Sequence, residues 1–271
     1  MHYCKGKFKF TDEDFLSAIE AGKSIKEMME LFQVGKGSII KRLKKFNIRL
    51  YNHHNEAKFN ENIFDSIDTE EKAYWLGFIY ADGSISSQPG RYSFELSLKG
   101  DDVEHLNRFN SFMEYRGNNV KLCPTSCKGK PFLRCRWVIG NKHLWETLNS
   151  YGCTPNKSLT LQFPEENIFK DKSLIRHFLR GYFDGDGCLS ISKKDQISCQ
   201  VLGTRKFLEA YLSYCPDTSN IKVRALKSKA SYFGYSTKRA IDFAEFLYAD
   251  SSIYLQRKYN RYCFAVLQRN L

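Results

Sequence analysis

The sequence predicts an α+β protein: a duplicated αββαββα domain with pseudo-two-fold symmetry, preceded by a small all-α domain of helix-turn-helix type. Three observations lead there. A segment ending Ala81-Asp82-Gly83 recurs, one domain length later, as a segment ending Gly185-Asp186-Gly187. Each copy is followed by paired alternating runs, a helix-period stretch and two further alternating runs. Residues 1–50 show only helical periodicity, with basic side chains crowded at their end.

Those first residues are expected to form three short helices. Thr11-Asp12-Glu13-Asp14 is an acidic capping start, followed by Phe15, Leu16 and Ile19 at helical spacing. Ser24 opens a second helix, Glu27 completes a capping box, and Ile25, Met28, Met29 and Phe32 share one face. After a turn at Val34-Gly35-Lys36-Gly37, Ser38 caps a third helix from Ile39 to Phe46. Lys36, Lys41, Arg42, Lys44 and Lys45 crowd that helix. Two helices joined by a short glycine turn, the second strongly basic, read as a helix-turn-helix whose basic helix enters the DNA major groove. The plainer alternative is a three-helix bundle with a solvated charged face.

Residues 51–67 read as a linker, polar and aperiodic around His53 and His54, which fit solvent or phosphate better than a metal. The first repeat spans 68–170, with a helix start at Asp68 and Glu71. Its strands are expected at 84–87, 92–98, 118–123 and 132–139, and its later helices at 101–113 and 142–151. The second repeat spans 171–271 and starts at Asp171. Its strands are expected at 188–192, 197–202, 220–226 and 231–236, and its later helices at 204–214 and 238–249.

Composition narrows the function. With 271 residues, 42% hydrophobic and 15% aromatic, the chain supports a real core. A net charge of +12 points to a polyanionic partner, nucleic acid before an anionic membrane surface. No apolar run approaches the roughly 20 residues of a membrane span. The nine scattered cysteines, with no signal peptide ahead of them, fit reduced thiols and a cytoplasmic location, in a bacterial or phage-infected cell. Cys123, Cys127, Cys135 and His143 match no zinc spacing and read as ordinary thiols and a histidine.

Gly77 and Ala81 are four apart, as are Gly181 and Gly185, which stacks small residues on one helix face. Such stripes let two helix backbones approach closely. Paired in this way, the helices would bring Asp82 and Asp186 together at their negative C-terminal ends. A hard divalent cation relieves that repulsion. Mg²⁺ suits one or two carboxylates plus a phosphate, and phosphodiester cleavage is the natural reaction. One Asp-Gly alone would be only a helix-ending turn. Two matched copies on a basic chain favour the site.

Trp75-Leu-Gly-Phe-Ile-Tyr-Ala-Asp-Gly83 and Leu179-Arg-Gly-Tyr-Phe-Asp-Gly-Asp-Gly187 resemble, position by position, the LAGLIDADG motif of homing endonucleases, and the resemblance covers about residues 60–271. It implies two α/β halves joined through the motif helices. Asp82 and Asp186 would be the metal ligands, helped by the backbone carbonyls of Ala81 and Gly185. Mg²⁺ would be the working ion, Mn²⁺ a substitute, and Ca²⁺ a support for binding without cleavage. Each half would offer a curved antiparallel sheet to double-stranded DNA, and the joined repeats would act as a monomer on a long asymmetric site. Tyr80 departs from the motif where Asp184 keeps its first acid. Arg180 replaces a small residue and is expected to point outward.

The resemblance also implies a basic residue near each centre, late in each repeat. Lys157 and Lys258 stand there, to orient water or to neutralise transition-state charge. Alternation places Arg134 with Arg136, and Lys222 with Arg224, on sheet faces that read DNA. Arg91, Lys99, Lys121, Lys193, Lys227, Lys229 and Tyr235 are expected to join them. Two rivals share the fold: a DNA-binding transcription regulator that does not cut, and a maturase that binds intron RNA. Loss of the motif acids would mark the regulator, and both acids are present. An intein is argued against by ends lacking splicing residues.

Overall fold

The computed structural model describes residues 10–21, 23, 25–46, 48, 59–86, 88, 92–127, 129–192, 196–227 and 230–269. Ser24, His53, His54, Arg91, Lys193 and Lys229 lie outside the described residues. The chain divides into two compact units, the second beginning at Phe59.

The first unit holds α1 (Asp12–Glu20), α2 (Ile25–Phe32) and α3 (Lys36–Lys45). Thr11 and Asp14 form a reciprocal capping box, with Asp14 N–H donating to Thr11 Oγ1 at 3.1 Å and Thr11 N–H to Asp14 Oδ2 at 2.8 Å. Phe10, Phe15, Ala18, Met28, Ile39 and Leu43 form its core, and Phe10 stacks on Phe32 at 4.0 Å. Helix α3 begins three residues before the expected Ile39. Gly35, in extended conformation, is its N-cap, so Ser38 lies inside the first turn and does not cap it.

The second unit is a duplication. Its first half runs α4 (Glu70–Asp82), β1 (Gly83–Ile85), β2 (Ser93–Lys99), α5 (Val103–Phe112), β3 (Val120–Cys127), β4 (Lys130–Gly140) and α6 (Lys142–Ser150). Its second half runs α7 (Leu174–Asp186), β5 (Gly187–Ile191), β6 (Ile197–Gly203), α8 (Arg205–Ser213), β7 (Arg224–Ala225), β8 (Ser231–Ser236) and α9 (Thr237–Tyr248). Both four-stranded sheets are antiparallel and share one order, β1-β2-β4-β3 and β5-β6-β8-β7. One face of each sheet is apolar: Phe94, Leu96, Cys135 and Trp137 in the first, Leu189, Cys199, Val201 and Phe233 in the second. These faces pack on α4 and α7 in one continuous core. Among the described residues no helix is long and apolar enough to cross a membrane.

Three elements depart from the sequence expectation. Phe59, Ile63, Phe64 and Ile67, expected within the linker, are buried in this core, and Ile67 bridges to Phe169. The polar stretch just before them hides their helix-like spacing. The strand expected over 220–226 shrinks to Arg224–Ala225, because Asp217 and Asn220 take left-handed conformations (φ 41° and 60°) that break the extended run. A helix, α10 (Gln256–Arg269), follows α9 and packs on it and on β5. Its strongly polar composition gave no sequence signal.

Candidate metal centre and DNA-facing surfaces

Helices α4 and α7 touch backbone to backbone. A Cβ on Gly77 would lie 2.0 Å from the carbonyl oxygen of Phe178, and one on Gly181 would lie 1.9 Å from that of Tyr74. Only glycine fits at these two positions. Further along the stripe, a Cβ on Gly185 would meet the Ala81 methyl at 2.2 Å and Asp82 Oδ2 at 3.2 Å. The small-residue stripe therefore brings the Asp82 carboxylate against the opposite helix where Asp186 also ends its turn. Gly83 and Gly187 are not left-handed; both are extended (φ −79° and −89°). Their need is space, since a Cβ would lie 2.7 Å from the Ile79 carbonyl oxygen and 2.2 Å from the Phe183 ring.

The electrostatics match two carboxylates in a shared, desolvated place. Burial first, then the Asp186 charge, pushes the Asp82 carboxyl up to about 6, against the pull of Lys258, Lys157 and Arg257. Burial likewise raises Asp186, opposed by Lys157 and Lys258. Each acid is more costly to ionise than a free aspartate. A divalent cation would remove that cost, so the oxygen donor set fits a hard metal ion. Among the described residues no group of three or more His, Cys, Asp and Glu gathers anywhere.

Both predicted lysines reach the ends of the motif helices. Lys157 sits on a short 3-10 turn behind Asn156, which is left-handed at φ 58°, and its Nζ donates to the Ala81 carbonyl at 3.3 Å. Lys258, on the first turn of α10, donates to the carbonyls of Phe183 at 2.5 Å, Asp184 at 2.8 Å and Gly187 at 2.5 Å. It is 2% exposed, and burial pushes its ammonium down to about 8. The lysines thus cap helix C-termini as cations, where the dipole favours them.

The two halves differ behind the acids. Asp184 is fully buried and accepts from Tyr74 Oη at 2.8 Å, Tyr248 Oη at 2.5 Å and Leu255 N–H at 2.7 Å. Tyr80, at the matching place in α4, packs edge-on against Phe178 and donates to the Tyr151 carbonyl. Arg180 does not point outward. It is fully buried, with Nε donating to the Ile253 carbonyl at 2.9 Å and Nη2 to Glu70 Oε1 at 2.7 Å. A guanidinium on the buried side of α7 is held by acceptors from the other half and from the loop before α10.

The outer face of the first sheet carries the expected basic ladder. Lys99 stands opposite Arg134, and Arg136 stands between Ser97 and Lys121. Lys99 and Lys121 are exposed. Arg136 is held by Glu95 through bonds of 2.8 and 2.5 Å. Lys99 and Arg134 line, with Asp82 and Arg257, a cleft of about 300 Å³. Arg257 forms an ion pair with Asp102 at 3.0 Å. Neither residue was singled out by sequence, though Arg257 adjoins Lys258. Beside the second sheet Lys222, in the coil before β7 and not on a strand as expected, borders with Arg224 a similar depression over Gly234, and Lys227 is exposed nearby. Tyr235 is not a surface reader. It is 4% exposed and stacks on Phe243 at 4.8 Å, because its position in β8 faces the core.

In the first unit Lys36, Lys41 and Lys44 are exposed along α3. Arg42 is turned inward. It donates to the Thr11 carbonyl at 2.8 Å, pairs with Asp12 at 3.2 Å and lies over the Phe10 ring. Lys45 also pairs with Asp12.

No family model matches the sequence, and no curated protein matches it. Solved structures do. The crystal structure of the I-LtrWI LAGLIDADG homing endonuclease bound to target DNA aligns over 78% of this chain and 92% of that one, at 13% identity and a TM-score of 0.50. I-SmaMI bound to cleaved DNA aligns over 73% and 89%, at 13% identity and a TM-score of 0.46. I-GzeII in complex with its DNA target aligns over 73% and 90%, at 12% identity and a TM-score of 0.46.

Proposed function

We propose that this chain, whose second unit has the duplicated α+β fold of the LAGLIDADG homing endonucleases, is a site-specific endonuclease that hydrolyses both strands of double-stranded DNA. The observation that carries the reading is the pair Asp82 and Asp186, desolvated and mutually repelling at the ends of two close-packed helices. Carboxylates kept in that state are poised for a counter-ion.

Asp82 and Asp186 would hold Mg²⁺, with Mn²⁺ as a substitute and Ca²⁺ allowing binding alone. The bound metal would supply a lowered water pKa and charge neutralisation at the scissile phosphate. Lys157 keeps N–H donors beyond its single bond to Ala81 and can turn one toward a phosphate oxygen. The outer sheet faces, through Lys99, Lys121, Arg134 and Arg224, with Lys222 and Lys227 flanking β7, would follow the major groove of a long asymmetric site. With both halves on one chain, the protein would act as a monomer. The first unit would add a helix-turn-helix contact through Lys36, Lys41 and Lys44 on α3.

The test is cleavage of a randomised duplex library and fragmented genomic DNA with Mg²⁺, comparing wild type with Asp82→Asn and Asp186→Asn. Double-strand breaks at one long sequence, lost or reduced to nicks in the variants, would support the reading. Specific binding without cutting in Mg²⁺ or Mn²⁺ would replace it with a regulator. Preference for a structured RNA over DNA would replace it with a maturase.

A further inference from the structure

Beside the two motif acids stands a more deeply buried carboxylate, Asp184, two of whose donors lie on the segment that carries one of the two lysines. Asp184 lies two residues before Asp186 on α7, wholly buried, and each of its oxygens has a donor. One donor, Tyr74, comes from the other half. The other two bracket the segment leading into α10: Tyr248 ends α9, and the Leu255 N–H precedes Lys258 by three residues. From the far side Lys258 closes the loop by donating to the Asp184 carbonyl and its neighbours. Thus Asp184 fixes the start of the turn that delivers Lys258, and with it Arg257, to the rim of the Asp82 centre.

Among the described residues the first half has no such wiring. Tyr80 stands in place of Asp184, and Lys157 is held by one 3.3 Å bond. A carboxylate buried at this depth is costly unless every lone pair facing inward is satisfied. A position filled by a carboxylate in one half and a phenol in the other therefore needs a reason particular to the second half.

We propose that Asp184 is a positioning residue that sets Lys258 and Arg257 through the Leu255 amide and the Tyr248 hydroxyl, so that the two strands of the substrate are cut under different control. The strand served by the second half depends on Asp184; the strand served by Lys157 does not. The claim rests on the endonuclease reading and deepens it.

Asp184→Asn keeps the side-chain shape and an acceptor but removes the charge. Three readings are made on the full chain: thermal unfolding, single-turnover cleavage of each strand with end-labelled cognate duplex in Mg²⁺, and acylation of lysines by a small amine reagent mapped by mass spectrometry. The variant is expected to unfold cooperatively and bind DNA within threefold of wild type. One strand slows by tenfold or more, the same strand slowed by Lys258→Met, and the double variant is no slower than Lys258→Met alone. Lys258 acylation rises at least threefold while that of Lys157 is unchanged. Tyr248→Phe, which removes one donor only, shows the same pattern more weakly and serves if Asp184→Asn does not fold. Equal slowing of both strands, or unchanged Lys258 acylation, overturns the proposal. If wild type cuts no DNA, the endonuclease reading fails, and the acylation result alone then decides whether Asp184 holds Lys258.

Discussion

Arg180 Nη2 and Glu70 Oε1 lie 2.7 Å apart, joining the start of α4 to the middle of α7 across the interface of the two halves. Arg180 is fully buried, and besides Glu70 it satisfies the Ile253 and Leu247 carbonyls. Cutting this side chain leaves Glu70 without its guanidinium and two carbonyls without donors. We expect Arg180→Leu to lower unfolding free energy by about 2–4 kcal/mol, chiefly from the two carbonyls left unsatisfied, since Glu70 keeps solvent and the Ser252 N–H. Adding Glu70→Gln should return part of that loss. Urea denaturation of the three variants checks it; a loss under about 1 kcal/mol in Arg180→Leu would remove the cross-interface role.

The helix contact at Gly77 and Gly181 leaves no room for a methyl group. In Gly77→Ala the new carbon would meet a backbone carbonyl, which cannot rotate away. The helices must separate, moving Asp82 relative to Asp186. We expect about 3 kcal/mol or more of destabilisation, at the upper end of overpacking costs. Gly35→Ala, whose added carbon meets nothing nearby, serves as the control. Comparable melting of all variants would contradict the packing.

A pH dependence follows from Asp82. Its folded pKa, about 6, lies above the ordinary aspartate value of 3.8, so the folded state holds the proton more tightly. This group contributes no penalty below about pH 4, where both states are protonated. Its penalty grows as pH rises toward 6 and stays constant above, reaching about 3 kcal/mol. Metal-free Asp82→Asn should therefore be more stable than wild type at pH 8 and equal to it near pH 3.5. Added Mg²⁺ should raise the melting temperature of wild type and leave the variant nearly unmoved. A variant less stable than wild type at pH 8 in chelator would show that the carboxylate is satisfied by its lysines.

The basic helix of the first unit divides into two kinds of residue. Arg42→Ala removes bonds to Thr11 and Asp12 and should destabilise the first unit by about 1–2 kcal/mol. Lys41→Ala and Lys44→Ala, both at exposed positions, should leave stability within about 0.5 kcal/mol of wild type. They should lower DNA affinity and flatten its salt dependence by about one counterion each. Circular dichroism melts and salt-titrated binding separate the two effects. Unchanged binding in both lysine variants would leave the unit as a plain bundle.

The duplicated architecture was legible because its signals are local and repeated. The Gly77–Ala81 and Gly181–Gly185 stripes, the Asp-Gly helix ends and the alternating strands each follow from short-range periodicity. What escaped depends on three-dimensional neighbours. Arg180 looks like a surface residue by type, and only the convergence of Glu70, Leu247 and Ile253 makes its burial tolerable. Tyr235 and Arg42 were assigned by residue chemistry, whereas the register of β8 and the packing of Phe10 turn them inward. Helix α10 is too polar on average to stand out in the sequence, and the cleft joining Asp102 to Arg257 brings together residues far apart in sequence.

The unequal furnishing of the two motif helices makes each the complement of the other and not of itself. Where α4 carries Glu70 and Tyr74, α7 carries Leu174 and Phe178; where α7 carries Arg180 and Asp184, α4 carries Leu76 and Tyr80. Two copies of the second half, paired through the same stripe, would set Arg180 against leucine and Asp184 against phenylalanine, so that each buried charge would keep its own-half partners and lose the one from the facing helix. Two copies of the first half would strand Glu70 opposite leucine. The halves have become strict heterologous mates. Fragments made by splitting the chain should therefore reassemble with each other in preference to copies of themselves.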